Sequence, residues 1–435
     1  MDIAPPPLSS NFGLTGFART RAGIWLERLQ NDPGSTLRQS LDLQARGRLR
    51  GIRYVAAMHG EYDFAYAFDD RYQQPTKETY AWQIISGEQF ASMPLGHFDI
   101  TFGRQIVAWG EGDVFSPLDL VNPRDLREPG LSDLDDIRLA VLATRLGYFT
   151  GPHRLELMVV HEGHTGLRPD PLAEYSPLRT ALLDDPRLLD LLGDKTLRYT
   201  TLAHPYMPEH WSYYLRWLYA GEGLDLGLYA ARVLDRQGTI ALPDAAAFGA
   251  DSIEFPLVHK TYDVLGHSGA KPSGDWLLKW EGVFEMNRPQ NAGTLNEFPP
   301  SLEQTRVDLL TGMIGVTYTG WRDITVGVEG TRGFLVSDGA NLLFPVEALA
   351  MAARVSYLTL RERLRFDAAV TTFGDVFEFG GLGRFEATYA YQDGLKLSAA
   401  LIHFNAGTDG NLGPFTGLDD LDQFITRLRW DFSLF

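Results

Sequence analysis

Residues 275–287 read Asp-Trp-Leu-Leu-Lys-Trp-Glu-Gly-Val-Phe-Glu-Met-Asn, and large apolar side chains alternate with charged ones along this stretch. Trp276, Leu278 and Trp280 stand at even positions, whereas Lys279 and Glu281 stand at odd positions. Successive side chains of a β-strand point to opposite faces of its sheet. The stretch therefore predicts a strand with one apolar face and one charged face.

The same alternation recurs along the chain, most clearly in residues 60–69, 211–219, 363–373 and 384–392. A strand that crosses a membrane needs about 9–11 residues, with apolar side chains toward lipid and polar ones toward a lumen. No run of 18 apolar residues is present, so a transmembrane helix is excluded. We predict strands at 12–27, 36–48, 53–69, 78–91, 95–109, 136–150, 152–162, 209–220, 223–235, 254–268, 274–287, 304–319, 321–332, 349–361, 363–374, 379–392, 394–405 and 422–435.

The connections between these strands alternate between tight and long, which is typical of an outer-membrane barrel with short periplasmic turns and long extracellular loops. The sequence predicts an all-β fold, a transmembrane antiparallel β-barrel of about 18 strands (range 14–18). Residues 1–11 would be a periplasmic N-terminal segment and residues 12–435 a single barrel domain. The long loops are predicted near 110–135, 163–208, 235–253, 288–303, 333–348 and 406–421.

Composition fits this architecture and excludes several functions. The chain has 44 glycines, 12% aromatic residues and no cysteine, so thiolate metal sites and cysteine nucleophiles are excluded. A net charge of −17 argues against nucleic-acid binding, which needs a basic surface.

We interpret Met1 as a start placed on a mature sequence whose leader was removed. Several tryptophans near predicted strand ends suggest interfacial girdles: Trp25, Trp82, Trp109, Trp211, Trp276 and Trp321.

Two segments carry a motif. Residues 103–111 read Gly-Arg-Gln-Ile-Val-Ala-Trp-Gly-Glu, and residues 116–126 read Ser-Pro-Leu-Asp-Leu-Val-Asn-Pro-Arg-Asp-Leu. The motif resembles a Gram-negative outer-membrane barrel family of unsettled role with a "GRQ…WG…NP.D" segment, often found near RND-type exporters. More distantly, it is similar to the alginate-export barrels, which implies an 18-stranded architecture. The motif residues of this chain are Gly103, Arg104, Gln105, Trp109, Gly110, Asn122 and Pro123. On structural grounds alone, the glycines would permit a bend and the Asn-Pro pair would start a turn.

Arginines dominate the predicted inward faces of the first, second and last strands, which are neighbours in a closed barrel. In one interpretation these arginines form a basic wall that favours anionic solutes. In the other they pair with acidic side chains of the lumen, such as Asp42, Glu27 and Asp431, and only fill the interior. We predict these pore-lining residues: Arg19, Arg21, Arg38, Arg46, Arg48, Lys279, Glu281, Arg363, Arg365, Arg384, Arg427 and Arg429.

The sequence contains no signature of catalysis, and we predict no enzyme activity, cofactor or metal. The acidic predicted loops lack a dedicated calcium-loop spacing. His161 and His164 are three residues apart at a predicted strand end, unlike the helical zinc motif. Residues 178–192 predict short helical turns broken at Pro186 within the longest loop, placed to narrow or cover the mouth.

The favoured function is an outer-membrane transport barrel, porin-like or an export conduit, for a small or chain-like solute that is anionic if the arginine wall sets selectivity. The alternatives are a plugged structural barrel that docks an envelope assembly and, with less support, a barrel enzyme. The expected partners are outer-membrane lipid and lipopolysaccharide, the barrel-assembly machinery, and an envelope exporter or other periplasmic protein, but not nucleic acid.

Overall fold

Eighteen antiparallel strands form one closed sheet. The structure, a computed structural model, describes residues 12–30, 34–131, 137–176, 178–183, 186–192, 194–243, 250–294, 301–337, 341–408 and 413–434. The barrel strands are β1 (Phe12–Trp25), β2 (Gly34–Leu49), β3 (Ile52–Asp63), β4 (Trp82–Leu95), β5 (Phe98–Gln105), β6 (Val141–Thr150), β7 (His153–Val160), β9 (Ser212–Gly221), β10 (Leu224–Leu234), β13 (Thr261–Ser273), β14 (Trp276–Thr294), β15 (Ser301–Trp321), β16 (Ile324–Leu335), β17 (Ala350–Thr359), β18 (Leu364–Phe373), β19 (Gly381–Gln392), β20 (Leu395–Asn405) and β21 (Gln423–Leu434).

The first and last strands close the sheet. β1 pairs with β21 from Leu14 opposite Leu434 to Trp25 opposite Gln423, and β1 pairs with β2 on its other side. A closed sheet leaves no strand edge with unpaired backbone groups, which is the condition for a β-structure to cross lipid. The predicted fold class is confirmed, and each of the 18 predicted strands overlaps one barrel strand.

The two ends of the barrel differ in their connections. Tight connections such as 50–51, 96–97 and 151–152 lie at one end, here called the turn end, and the first and last strands begin and finish there. Longer connections lie at the other end, here called the loop end. In barrels of this class the turn end is periplasmic and the loop end is extracellular.

Side chains sort by strand face as the alternation predicts. Ile314, Trp276 and Phe385 point outward and are exposed, whereas many inward-facing polar side chains are buried. The buried inward-facing charged residues of the strands include Arg38, Glu61, Glu156, Lys279, Glu281, Glu285 and Glu329. Trp82, Trp276 and Trp321 lie exposed at strand ends, as predicted for interfacial girdles.

Two tryptophans predicted for the girdles are instead inside the barrel. Trp25 is fully buried because position 25 shares the inward phase of β1 with Arg19 and Arg21. Trp109 is also buried, because β5 ends at Gln105 and the following residues turn into the lumen.

The predicted strand 53–69 ends early. Asp63 accepts a hydrogen bond from the backbone N–H of Ala65 and caps helix α1 (Phe64–Phe68), which is followed by α2 (Gln74–Tyr80). In α1 Tyr66 turns inward, so it does not share an outward face with Tyr62, as the strand prediction required.

Two other predicted boundaries were wrong. The predicted strand 254–268 is divided between two elements: β12 (Ser252–Val258), which joins a separate small sheet, and β13. The loop predicted near 288–303 is largely paired strand. The pairing of β14 with β15 shifts register between Glu285 and Arg288 and then continues toward the loop end, as far as Thr294 opposite Ser301.

The loops carry the remaining elements. β8 (Thr196–Thr200) pairs in parallel with β12, and β11 (Thr239–Ile240) pairs with β12 on its other side. Helices α3 (Leu178–Leu183) and α4 (Pro186–Leu192) match the helical turns predicted on either side of Pro186. Among the residues that the structure describes, no helix is both long enough and apolar enough to span a membrane.

A charge placed on the outward face should destabilise the barrel. Ile314 is 64% exposed in the middle of β15, so Ile314→Arg should lower the free energy of unfolding in lipid vesicles by about 2–4 kcal/mol. The matched control, Thr317→Arg, places the same charge in the lumen and should have a much smaller effect. Chemical denaturation followed by tryptophan fluorescence measures both. Equal losses for the two variants would contradict the assigned faces.

Candidate functional site

The connection between β5 and β6 enters the lumen, and its residues 106–131 are here called the transverse loop. The motif residue Asn122 holds its two ends together: its Oδ1 accepts the Val107 N–H at 2.7 Å, and its Nδ2 donates to the carbonyl oxygens of Gln105 (3.1 Å) and Leu139 (2.7 Å). The N–H of Leu139 donates to the carbonyl of Pro123. These bonds satisfy buried backbone groups that have left the sheet ladder.

The two motif glycines sit where a side chain would clash. Gly103 has φ +128°, and a Cβ there would lie 2.2 Å from the carbonyl oxygen of Gln89. Gly110 has φ +89°, and a Cβ there would lie 2.5 Å from a carboxylate oxygen of Glu281. Only glycine allows the chain to bend and approach the wall this closely.

The remaining motif residues also serve the loop and its surroundings. Arg104 donates to Glu162 at 3.0 Å, and Gln105 donates to the carbonyl of Ala143 at 3.0 Å. Trp109 packs between the rings of Tyr214 and Tyr229, with centroids 5.2 and 5.0 Å away. The motif thus supplies structure rather than reactive groups.

Two wall carboxylates hold the centre of the transverse loop. Glu281 of β14 accepts the backbone N–H groups of Glu111 (2.6 Å), Gly112 (2.9 Å) and Leu118 (3.0 Å). Glu329 of β16 accepts those of the three intervening residues Asp113 (2.7 Å), Val114 (2.9 Å) and Phe115 (3.0 Å). Charge-assisted hydrogen bonds of this kind are the stronger ones in proteins.

The far half of the transverse loop reaches the opposite wall. Glu128 pairs with Arg21 of β1 at 2.5 Å and with Arg38 of β2 at 2.9 Å. Burial opposes ionisation of Glu128, but the two guanidinium groups outweigh it and lower the pKa of its carboxyl to about 2. The loop therefore spans the lumen from β14 and β16 to β1 and β2.

A cavity of about 580 Å³, here called the arginine cavity, lies between the transverse loop and the wall formed by β1–β4 and β19–β21. It brings together six of the predicted pore-lining residues: Arg19, Arg21, Arg38, Arg384, Arg427 and Arg429.

The other predicted pore-lining residues lie elsewhere. Arg46 and Arg48 are exposed near the turn end of β2, and Arg363 lies in the tight turn before β18. Lys279 binds Asp113 of the transverse loop at 2.7 Å, and Glu281 is occupied by the same loop.

A second cavity, of about 440 Å³ and here called the threonine cavity, lies against β15–β18 toward the turn end. Thr317, Thr325, Arg354 and Arg365 line it, so the remaining predicted residue, Arg365, is here. A third cavity, of about 310 Å³ and here called the loop-side cavity, is lined by Phe115, Thr311 and Thr331, among others. Val114 lines both the threonine cavity and the loop-side cavity, so the tip of the transverse loop separates them.

Glu128 and Glu329, two residues that fix the loop, were not predicted as functional from the sequence. The sequence could have identified Glu329, because it is the one acidic residue on the inward face of β16 and its neighbours on that face are mostly small. No sequence pattern identifies Glu128, since it stands among other acidic residues of the predicted loop.

The His161–His164 segment is structural: Glu162 pairs with Arg104, and His161 contacts Thr144 at 2.8 Å. Within the described ranges, no three His, Asp or Glu side chains are grouped to hold a metal ion.

Residues 36–331 match the family model described as "Protein of unknown function (DUF1302)". The chain belongs to the DUF1302 family. A comparison of the DUF1302 chain with curated sequences finds no significant match.

Solved structures similar in fold to the DUF1302 chain include proteins of two bacteria. Acinetobacter baumannii OccAB4 has a TM-score of 0.54 at 10% identity, covering 99% of this chain and 100% of that one. Pseudomonas aeruginosa OccK8 (OprE) has a TM-score of 0.52 at 11% identity, covering 98% of each chain. These similarities concern the fold. The resemblance of the motif to a barrel family found near RND-type exporters, and to alginate-export barrels, stays a prediction.

Loss of the Asn122 amide should release the transverse loop without unfolding the barrel. Asn122→Ala removes three hydrogen bonds and leaves buried backbone groups unpaired, at about 1–3 kcal/mol each. We expect limited proteolysis of the folded variant to cleave between residues 106 and 131 far faster than in the parent. The matched control is Asn405→Ala, at the loop end of β20. Equal protection of the two variants would contradict the role assigned to Asn122.

Proposed function

We propose that this DUF1302 chain is a transport barrel of the bacterial outer membrane, a conduit for a small or chain-like polar solute. The observation that carries the proposal is the transverse loop, which narrows a polar lumen at mid-height instead of filling it, as a selective channel requires. The closed barrel with its apolar outer face supports the membrane location.

The passage we propose runs along β15–β18. The loop-side cavity and the threonine cavity lie above and below the loop tip on this wall, and both are lined by Val114. Small polar side chains line part of this passage, among them Thr311, Thr317 and Thr331. Only the tip, bound by Glu329, lies between the two cavities, so this contact would act as the gate.

The proposed solute is polar because of this lining, which includes Arg354 and Arg365 as well as Asp113 and Glu329. The expectation of an anionic solute rested on the arginine wall, whose residues lie in the arginine cavity or near the turn end of β2, away from the proposed passage. That expectation stays a prediction, as do the lipopolysaccharide, assembly-machinery and exporter partners.

A second candidate, the plugged structural barrel, has one observation in its favour. A buried apolar cluster closes the loop end over the arginine cavity, with Trp25, Tyr66, Tyr80 and Phe404 all 1% exposed or less. If the loop tip also never moves, the barrel would be sealed and would serve as a docking protein.

Conductance across planar bilayers distinguishes the two functions. Glu329→Ala removes the acceptor of three loop N–H groups, so the tip should move aside, and we expect the single-channel conductance or the open fraction to increase several-fold. The matched control, Glu303→Ala, removes an exposed carboxylate from the β14–β15 hairpin and should leave the parent's conductance unchanged. A silent parent together with a silent Glu329→Ala variant would favour the plugged barrel.

A further inference from the structure

The arginine cavity is open at the turn end and closed at the loop end. Exposure of the inward-facing side chains falls in that direction along β20 and β21. On β21, 40% of the side chain of Arg429 is exposed and 14% of that of Arg427, and Ile425 is fully buried. On β20, 49% of the side chain of Lys396 is exposed, whereas Ile402 is buried.

The buried end of this wall is apolar. Trp25, Ile402, Phe404 and Ile425 pack there with Tyr175 and other loop residues in one cluster. Water and ions do not cross such a packed apolar layer. The arginine cavity is therefore a blind pocket, separate from the passage proposed above.

Several cationic side chains meet at the open end of the pocket. Arg384 and Arg427 share the carboxylate of Glu386, and Lys396 and Arg429 share that of Asp431. Among the residues that the structure describes, four cations of β19–β21 thus contact the carboxylates of Glu386 and Asp431, and Arg19 of β1 lies on the same pocket wall.

Arg19 forms no ion pair with any residue that the structure describes, and its buried Nε has no hydrogen-bond partner. In the sheet it stands directly opposite Arg429, and like charges in such positions repel. Both guanidinium groups lie against the ring of Phe17, that of Arg429 at 3.9 Å and that of Arg19 at 5.6 Å. The ring holds the two planar cations beside one another at the side of the pocket.

We propose that the arginine cavity binds a small multivalent oxyanion, of the carboxylate or phosphate class, that enters from the turn end. Guanidinium groups bind such oxygens through paired hydrogen bonds. The cavity volume of about 580 Å³ falls in the usual range for small-ligand pockets. The bound anion relieves the repulsion between Arg19 and Arg429. In a barrel of this orientation the ligand comes from the periplasm.

Equilibrium binding tests the pocket without requiring any conductance. Isothermal titration calorimetry of the full-length barrel in detergent should detect citrate, and binding should weaken with added salt. Each variant Arg19→Gln and Arg429→Gln should weaken citrate binding by about tenfold to a hundredfold. The control, Arg365→Gln in the threonine cavity, should bind citrate as the parent does.

The variant Arg19→Gln separates ligand binding from structure, because it removes an unpaired cation and should leave the unfolding midpoint in citrate-free buffer unchanged or higher. Undetectable binding of citrate by the parent would overturn the proposal. So would equal affinity in the Arg19→Gln and Arg365→Gln variants. Neither result bears on the passage along β15–β18, which conductance tests separately.

Labelling tests the direction of entry, since the chain has no native cysteine. Ser398→Cys places a thiol on the pocket wall. A bulky sulfonated maleimide should label it only after the outer membrane is ruptured, and citrate should protect it. Labelling in intact cells at the same rate as in ruptured cells would show a pocket open at the loop end and would overturn the proposal.

Discussion

Six backbone N–H groups of the transverse loop, those of residues 111–115 and 118, are bound by only two carboxylates, Glu281 and Glu329. A loop that leaves the sheet must find acceptors for its amide groups, and inside a barrel the wall has to provide them. The wall provides them as charged groups on β14 and β16, which is why the loop lies across the lumen instead of along it. The other features of the lumen depend on this arrangement.

Because the loop crosses the lumen, it divides the interior into regions of different chemistry. The side along β15–β18 keeps small polar side chains and two cavities separated only by the loop tip. The side along β1–β3 and β19–β21 has the arginines, where Glu128 from the loop neutralises part of the charge. An apolar cluster under the long loops then closes that side toward the loop end. One connection thus positions both the proposed passage and the proposed anion pocket.

The sequence was informative wherever a side chain's environment follows from its position in a strand. Alternation of period two predicted the strands and placed Lys279 inward and Trp276 outward, because lipid and lumen impose opposite preferences on adjacent residues. It failed at residues 64–68, where an Asp63 cap starts a helix although the alternation continues. It also failed at Trp25, because an apolar inward residue packed under a loop has the same sequence signature as a girdle residue.

The site was less predictable for a physical reason. The inward phase of the strands identified the arginines, but which region of the lumen they line depends on where a distant loop folds. Glu128 reaches Arg21 across 107 residues of sequence, and no local pattern encodes that distance. The motif at residues 103–123 identified the transverse loop in the sequence. That the motif holds this loop in place follows only from the hydrogen bonds of Asn122 and the backbone conformation of Gly110.

Cross-linking of the loop tip to β18 tests whether the transverse loop crosses the lumen. The ring of Phe115 at the loop tip contacts that of Phe373 on β18, with centroids 5.9 Å apart. The chain has no native cysteine, so the introduced thiols are the only ones that can react. The paired variant F115C/F373C should be joined rapidly by a short thiol-reactive cross-linker in native membranes, whereas F115C/I314C, with Ile314 on the outer face, should not. Failure of the first pair to react, or equal reaction of both, would contradict a loop held across the lumen.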